Sequence, residues 1–467
     1  MFKNVPNYCH GKYFYNNRKY LKKFSPITQK KIYHYDLLNI KDIDKAIVNS
    51  KSVQIKWEKS SNELKSNFLN KIYKEIIKNK HNIAKIESEE IGKPYGKALK
   101  EVLESSKLWL YAAKLCKKQK ITKVKSSREY KTYFDRVAVG VVNVILPWNF
   151  PFVVMSERIP FILAAGNSVV IKPSEFASGS AYELTKIFNK MNNFKGIITT
   201  INGEGTTIGS HIIKNKNVDM ISFTGSTTTG KKISKLSSQK LINLNLELGG
   251  KNPVIVLKDA PIKTSIKKIL NGALYNAGQA CVSGSLVLVE KKIYKNFCNE
   301  VMRQIKYHKS KKYGPIINKK QYANIVNLIQ KEKKEGSEPC YNKNKFTKNS
   351  FFIEPVVYFN LNQKSKIYRE EIFGPIITIN SFENIDETIK DLNKSKYGLA
   401  CYLFSKDKSN ISYFLKNIRY GRVWVNDNLI NFPELPLGGF RQSGIGRESG
   451  VYGLDSYTEI RSVIIKL

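Results

Sequence analysis

VAVGVVNVILPWNFP, residues 137–151, is the stretch that decides the fold. Its run 137–146 is too short for a membrane span, which needs ~20 residues, and suits a strand buried on both faces. Two prolines then enclose Trp148 and Asn149 in a rigid turn. Further along, SVVIK (168–172), IITTI (197–201), MISFT (220–224) and LINLNLE (241–247) are separated by helical stretches. That alternation predicts βαβ units and a doubly wound parallel sheet over residues 137–250. Upstream, apolar residues recur every three or four positions over 42–58, 62–91 and 94–115, which predicts three helices. Residues 1–35 mix aromatic and basic positions, as short strands and turns would. Downstream, PVIVL (253–257), SLVLV (285–289), FIEPVVY (352–358), IITINS (376–381), CYLFS (401–405) and GRVWV (421–425) predict a second α/β unit over 251–440. Segment 120–136 reads as paired strands, and YTEIRSVIIK (457–466) as an exposed strand that invites pairing with another subunit. Residues 333–350 read as a surface loop.

A chain of 467 residues is long enough for two or three packed units. With 42% hydrophobic and 25% charged residues it should fold throughout. Lys+Arg number 79 against 38 Asp+Glu, a net of +41, but the lysines are spread along the whole length. We read them as a solvated surface that mildly favours anionic ligands, and expect no nucleic-acid partner. The six cysteines stand singly, with neither metal-ligand nor disulfide spacing, so no metal is expected. The amino terminus lacks the apolar core of a secretory signal. A cytoplasmic protein with no membrane partner is the expectation.

Three motifs suggest chemistry. Cys281, in NAGQACVSG (276–284), stands on a glycine-containing loop between a helical pattern and an apolar strand. Alone it would be an inert buried thiol; its company suggests a nucleophile. Glu247, in LELGGKNP (246–253), ends a strand before two glycines, a place for a general base that must reach a water. Asn149, between Pro147 and Pro151, could aim its amide at an oxyanion. Two clusters suit a dinucleotide. In KPSE (172–175), Lys172 can bridge ribose hydroxyls, and Glu175 can accept from a 2′-OH while repelling a 2′-phosphate. In FTGSTTTG (223–230), Gly225 and Ser226 stand where a strand gives way to a helix amino terminus suited to a pyrophosphate.

With EEIFGP (370–375) and PLGGFRQSGIGRE (436–448), these pieces resemble the aldehyde dehydrogenase superfamily in order and spacing over about residues 40–465. The resemblance implies the aldehyde dehydrogenase fold: an NAD-binding domain (1–118 and 137–250), a catalytic α/β domain (251–440) and a small β oligomerisation element (119–136 and 445–467). It implies NAD-dependent oxidation of an aldehyde to an acid through a thioester on Cys281, in a homodimer or homotetramer. Glu247 matches the base for hydrolysis and Asn149 the oxyanion donor, with the Cys281 N–H as its second. Arg158 and Glu448 match positions implicated in proton relay. Pro147, Trp148, Lys172, Ser174, Glu175, Gly225, Ser226, Leu248, Glu371 and Phe373 match cofactor contacts; Phe150, Glu157 and Leu437 match the substrate pocket. No histidine adjoins Cys281, so the positive nicotinamide ring is expected to help ionise it, with cofactor binding first.

Departures from the family pattern bear on the substrate. Arg158 replaces a commoner lysine, Glu157 and Leu437 replace aromatics, and Leu286 stands where many members carry arginine. The tail resembles betaine-aldehyde and amino-aldehyde dehydrogenases, and Glu157 would attract a cation; Arg158 supports a succinate-semialdehyde type as the alternative. A CoA-acylating enzyme is disfavoured by the presence of Glu247, and a basic RNA-binding scaffold by the complete catalytic set.

Overall fold

The run at 137–146 is divided between two strands of the computed structural model, Tyr130–Ala138 and Val141–Ile145. The break falls at Gly140, whose φ is +131° and where a Cβ would meet Asp219 Oδ2 at 2.1 Å. That oxygen accepts from Val141 N at 2.7 Å and from Lys51 Nζ at 2.6 Å. The missing side chain thus lets a carboxylate close the corner, and the two strands enter different sheets. The structure describes residues 3–16, 19–118, 122–124, 127–191, 194–344, 346 and 350–467.

Val141–Ile145 is the central strand of an eight-stranded sheet. From it the chain moves outward to Ser168–Lys172 and Ile198–Thr200, then crosses to Met220–Thr224 and Asn243–Glu247 on the other side, all parallel. Every residue of Val141–Ile145 and Ser168–Lys172 is buried, which is why these strands read as unbroken apolar runs. In such a sheet the crevice lies beyond the carboxyl ends of the strands where the winding reverses. Antiparallel edges come from Asn7–Cys9 with Lys12–Phe14 and from Gly444–Ile445, which pairs with Asn243–Glu247.

Helices Ile40–Glu58, Asn62–Ile91 and Tyr95–Lys118 match the expected periodicity. Asn39 and Ser61 cap the first two by accepting from Asp42 N and Leu64 N. Trp57, buried among them, donates to Leu163 O at 2.8 Å, tying the first helix to Pro151–Ala164.

The second sheet has seven strands in the order Tyr341–Asn342, Val356–Phe359, Ile376–Phe382, Leu286–Glu290, Pro253–Val256, Ala400–Phe404 and Arg422–Val425. All pairs are parallel except the first. Tyr341–Asn342 falls where the sequence suggested only a loop. The third sheet joins Thr458–Lys466 to Tyr130–Ala138 along nine antiparallel pairs, with Thr122–Lys123 beyond. A smaller sheet holds Asn4–Val5, Lys31–Asp36 and Tyr20–Phe24.

Parts of three sequence expectations lie outside the described residues: 1, 2, 17 and 18 of the amino-terminal strands, 119–121, 125 and 126 of the oligomerisation element, and 345 and 347–349 of the surface loop. Among the described residues no helix is long and apolar enough to cross a membrane.

Candidate active site

Cys281 follows helix Ile262–Ala273 through a backbone that L-residues rarely adopt: Asn276, Ala277 and Gly278 have φ of 50°, 59° and 71°. Buried amides hold this loop. Asn252 Nδ2 donates to Cys281 O at 2.7 Å and Ser283 O at 3.0 Å, while its Oδ1 accepts from Ala400 N at 3.1 Å. Gln279 Nε2 donates to Asn276 O and Pro315 O, and its Oε1 accepts from Ile317 N. Asn149, on the turn after the central strand, donates from Nδ2 to Gln279 O at 3.0 Å. Its amide has a second hydrogen. Asn149 O in turn accepts from Lys93 Nζ at 2.9 Å, and Lys93 pairs with Glu101.

Three carboxylates lie close enough to act on the thiol. Burial, then Glu371, Glu157 and Glu247, push the Cys281 thiol up to about 12, and Arg422 opposes them. Glu247 is pushed up to about 8 by burial, helped by Glu448 and Glu157 and opposed by Arg158 and Arg422. Its Oε1 is buried without a hydrogen-bond partner among the described residues. Glu371 rests across the Gly249–Gly250 turn. Its Oε1 accepts from Gly250 N at 3.3 Å, and a Cβ on Gly249 would meet its Oε2 at 2.0 Å. Burial raises Glu371 to about 7 and Glu157 to about 6.

Arg158 and Glu448 both act on Glu247, the first lowering and the second raising it. They form a buried pair at 2.9 Å. Arg158 also donates to Ser222 Oγ at 2.8 Å and Thr224 Oγ1 at 2.5 Å, and Glu448 accepts from Ser222 and Tyr457. Leu437 exchanges both backbone hydrogen bonds with Glu448. The ring of Phe150 is stacked on Tyr275 at 5.9 Å with Lys93 Nζ above it at 4.3 Å.

The remaining candidates form a second group at the strand ends of the eight-stranded sheet. Lys172 is buried, donates to Gly203 O at 2.7 Å and lies 3.8 Å from Glu175. Ser174 Oγ accepts from Phe176 N. Ser226 caps helix Thr227–Ser237 by accepting from Thr229 N, and Gly225 N donates to Glu247 O at 3.1 Å. Leu248 is fixed by its N–H on Ser443 O, its side chain buried against Gly230. Pro147 leads into Trp148, whose ring meets Phe373 edge-on at 5.7 Å. Asn252, Gln279, Lys93 and Arg422 were not singled out from sequence. The first two stand in quoted motifs, and Arg422 is a charge in the apolar run GRVWV; none of these patterns shows what the side chain reaches.

An α/β chain with a doubly wound sheet and a cysteine loop facing its carboxyl-end crevice is the class these features define. Residues 14–463 match the model of the Aldehyde dehydrogenase family, and the chain belongs to that family. It is 32% identical over 469 residues to aldehyde dehydrogenase [NAD(P)+] 2 of Saccharomyces cerevisiae, covering 96% of this chain and 92% of that one. It superposes on an NAD-dependent aldehyde dehydrogenase from Sinorhizobium meliloti with a TM-score of 0.95 at 29% identity, covering 100% and 95% of the two chains. On betaine aldehyde dehydrogenase from Staphylococcus aureus in complex with NAD+ the TM-score is 0.96 at 30% identity, covering 99% and 95%.

Proposed function

We propose that this enzyme oxidises an aldehyde to a carboxylic acid with NAD as acceptor, through a thioester on Cys281. The observation that carries the reading is a loop thiol sharing its pocket with a buried, unpartnered Glu247 oxygen, with Asn149 bonded two residues upstream of the thiol. The thiol proton passes to Glu247 as Sγ bonds to the carbonyl carbon and the carbonyl π electrons move to oxygen. To that oxyanion we assign the second amide hydrogen of Asn149 and the Cys281 N–H as donors. NAD, when bound, supplies the hydride acceptor. After Glu247 has lost its proton to solvent it takes another from water; the water oxygen bonds to the acyl carbon and the C–S bond breaks, returning the thiol.

Arg158 cannot act as a lysine would in a relay, because a guanidinium does not release its proton in this range. We assign it to holding Glu448 and favouring the charged form of Glu247. The hydroxyl-capped amino terminus of Thr227–Ser237 suits a pyrophosphate, and the buried Lys172 beside Glu175 suits a ribose diol, so the residues present fit NAD. Trp148, Phe373 and Glu371 would hold its other end. On this reading residues 1–118 and 137–250 bind NAD, 251–440 supply the nucleophile, and 119–136 with 445–467 join subunits of a cytoplasmic homodimer or homotetramer. For the substrate's far end, Glu157 and the S. aureus likeness support an amino-aldehyde, betaine aldehyde among them. The succinate-semialdehyde alternative needs a cation other than Arg158, which is consumed by Glu448, Ser222 and Thr224. Glu247 favours hydrolysis over transfer to CoA.

The test is NADH absorbance with a panel of aldehydes, comparing wild type with Cys281→Ala. We expect activity only in the wild type and no gain on adding CoA; equal activity in both proteins would remove the mechanism.

A further inference from the structure

The thiol pocket contains a cation that this chemistry does not use. Arg422 opens the edge strand Arg422–Val425, paired with Ala400. Its guanidinium lies over Trp424, 4.5 Å from the ring centroid, and Trp424 stacks on Tyr402 at 4.9 Å with 9° between the planes. The Tyr402 hydroxyl donates to Val282 O at 2.6 Å, one residue past the nucleophile. Ala400 N donates to the same Asn252 side chain that holds Cys281 O. Two rings and one hydrogen bond therefore connect Arg422 to the thiol loop. Its charge is felt at Cys281, Glu247 and Glu157 alike.

Arg422 is also unspent. Its side-chain hydrogen bond goes to the neutral Asn431 Oδ1 at 3.2 Å, and among the described residues it forms no ion pair. A half-buried guanidinium backed by an indole, with one neutral partner, keeps N–H groups free in the planar fork that matches a carboxylate. Arg158, by contrast, has no edge left. Glu157 is the pocket's opposing charge, and it begins to discharge as pH falls toward 6.

We propose that Arg422 receives a carboxylate on the substrate's end remote from the carbonyl, so that the preferred aldehydes carry an acid group. This rests on the reading of the reaction above. Glu157, whose carboxylate acts on the thiol as Arg422 does, would suit an amino group on the same substrate. A trimethylammonium aldehyde without a carboxylate leaves Arg422 unanswered, so between the two substrate types above we take the succinate-semialdehyde type over betaine aldehyde.

The experiment uses the full chain with NAD and three aldehydes: 4-oxobutanoate, butanal and betaine aldehyde. For the wild type we expect kcat/KM for 4-oxobutanoate to exceed that for each of the others by about tenfold or more. In Arg422→Gln the ratio of 4-oxobutanoate to butanal should fall by about tenfold, through KM, and Arg422→Lys should retain part of it. A variant that is merely less well folded lowers both substrates and leaves the ratio unchanged. An unchanged ratio in Arg422→Gln, or betaine aldehyde as the best wild-type substrate, overturns the proposal while leaving aldehyde oxidation intact. Oxidation of none of the three would sink the reaction itself.

Discussion

Glu247 is useful as a base only once it has lost its proton, and burial holds that proton up to about pH 8. The charged form therefore grows as pH rises through this value, and hydrolysis should climb with it to a plateau above. We expect a single rising limb with an apparent pKa near 8 in the pH profile of acid release. Glu247→Gln should slow that release by about 10²–10⁴-fold, the usual worth of general base catalysis, while the burst of NADH, itself slower for want of the group that takes the thiol proton, still reaches one equivalent. The thiol at about 12 should react slowly with iodoacetamide in cofactor-free protein at neutral pH, and faster once NAD is added; alkylation followed by mass spectrometry checks both rates. The turns that carry Cys281, Glu247 and Asn149 were legible in sequence because glycines and prolines mark them. Asn252 was not, since its partners stand 29 and 148 residues away. Nothing in GRVWV shows that Arg422 lies over Trp424 or that its charge acts on the thiol.

At the scale of elements, the strained loop 276–278 is held by the amides that reach it. Asn252→Ala would leave Cys281 O, Ser283 O and Ala400 N short of one buried partner each. We expect a loss of about 2–3 kcal/mol in urea unfolding, together with a lower kcat as the thiol loop relaxes. Unchanged stability would mean that the loop holds itself. The parallel strands were legible because burial on both faces leaves a continuous apolar run. The break at Gly140 was hidden, because the carboxylate that requires it lies 78 residues beyond Val141. Gly444–Ile445 was likewise read with the tail rather than as an edge of the large sheet, two residues being too few to show a period.

For the whole molecule, Thr458–Lys466 leaves Ile460, Ile464 and Leu467 at 60%, 72% and 74% exposure. Apolar residues this open on a long outer strand fit contact with a second copy. Sedimentation velocity should find a dimer or tetramer, and Ile464→Lys should shift it toward smaller species; a monomeric wild type would remove the assignment. The net charge of +41 was legible but uninformative about fold, because charge spread over a surface speaks to association and not to topology. The central claim is that the acyl group passes through one sulfur atom and waits there for Glu247. Its most direct test is the mass of Glu247→Gln protein quenched in acid after mixing with aldehyde and NAD. We expect the acyl mass on the Cys281 peptide, matched by one equivalent of NADH; NADH formed while that peptide stays unmodified would contradict it.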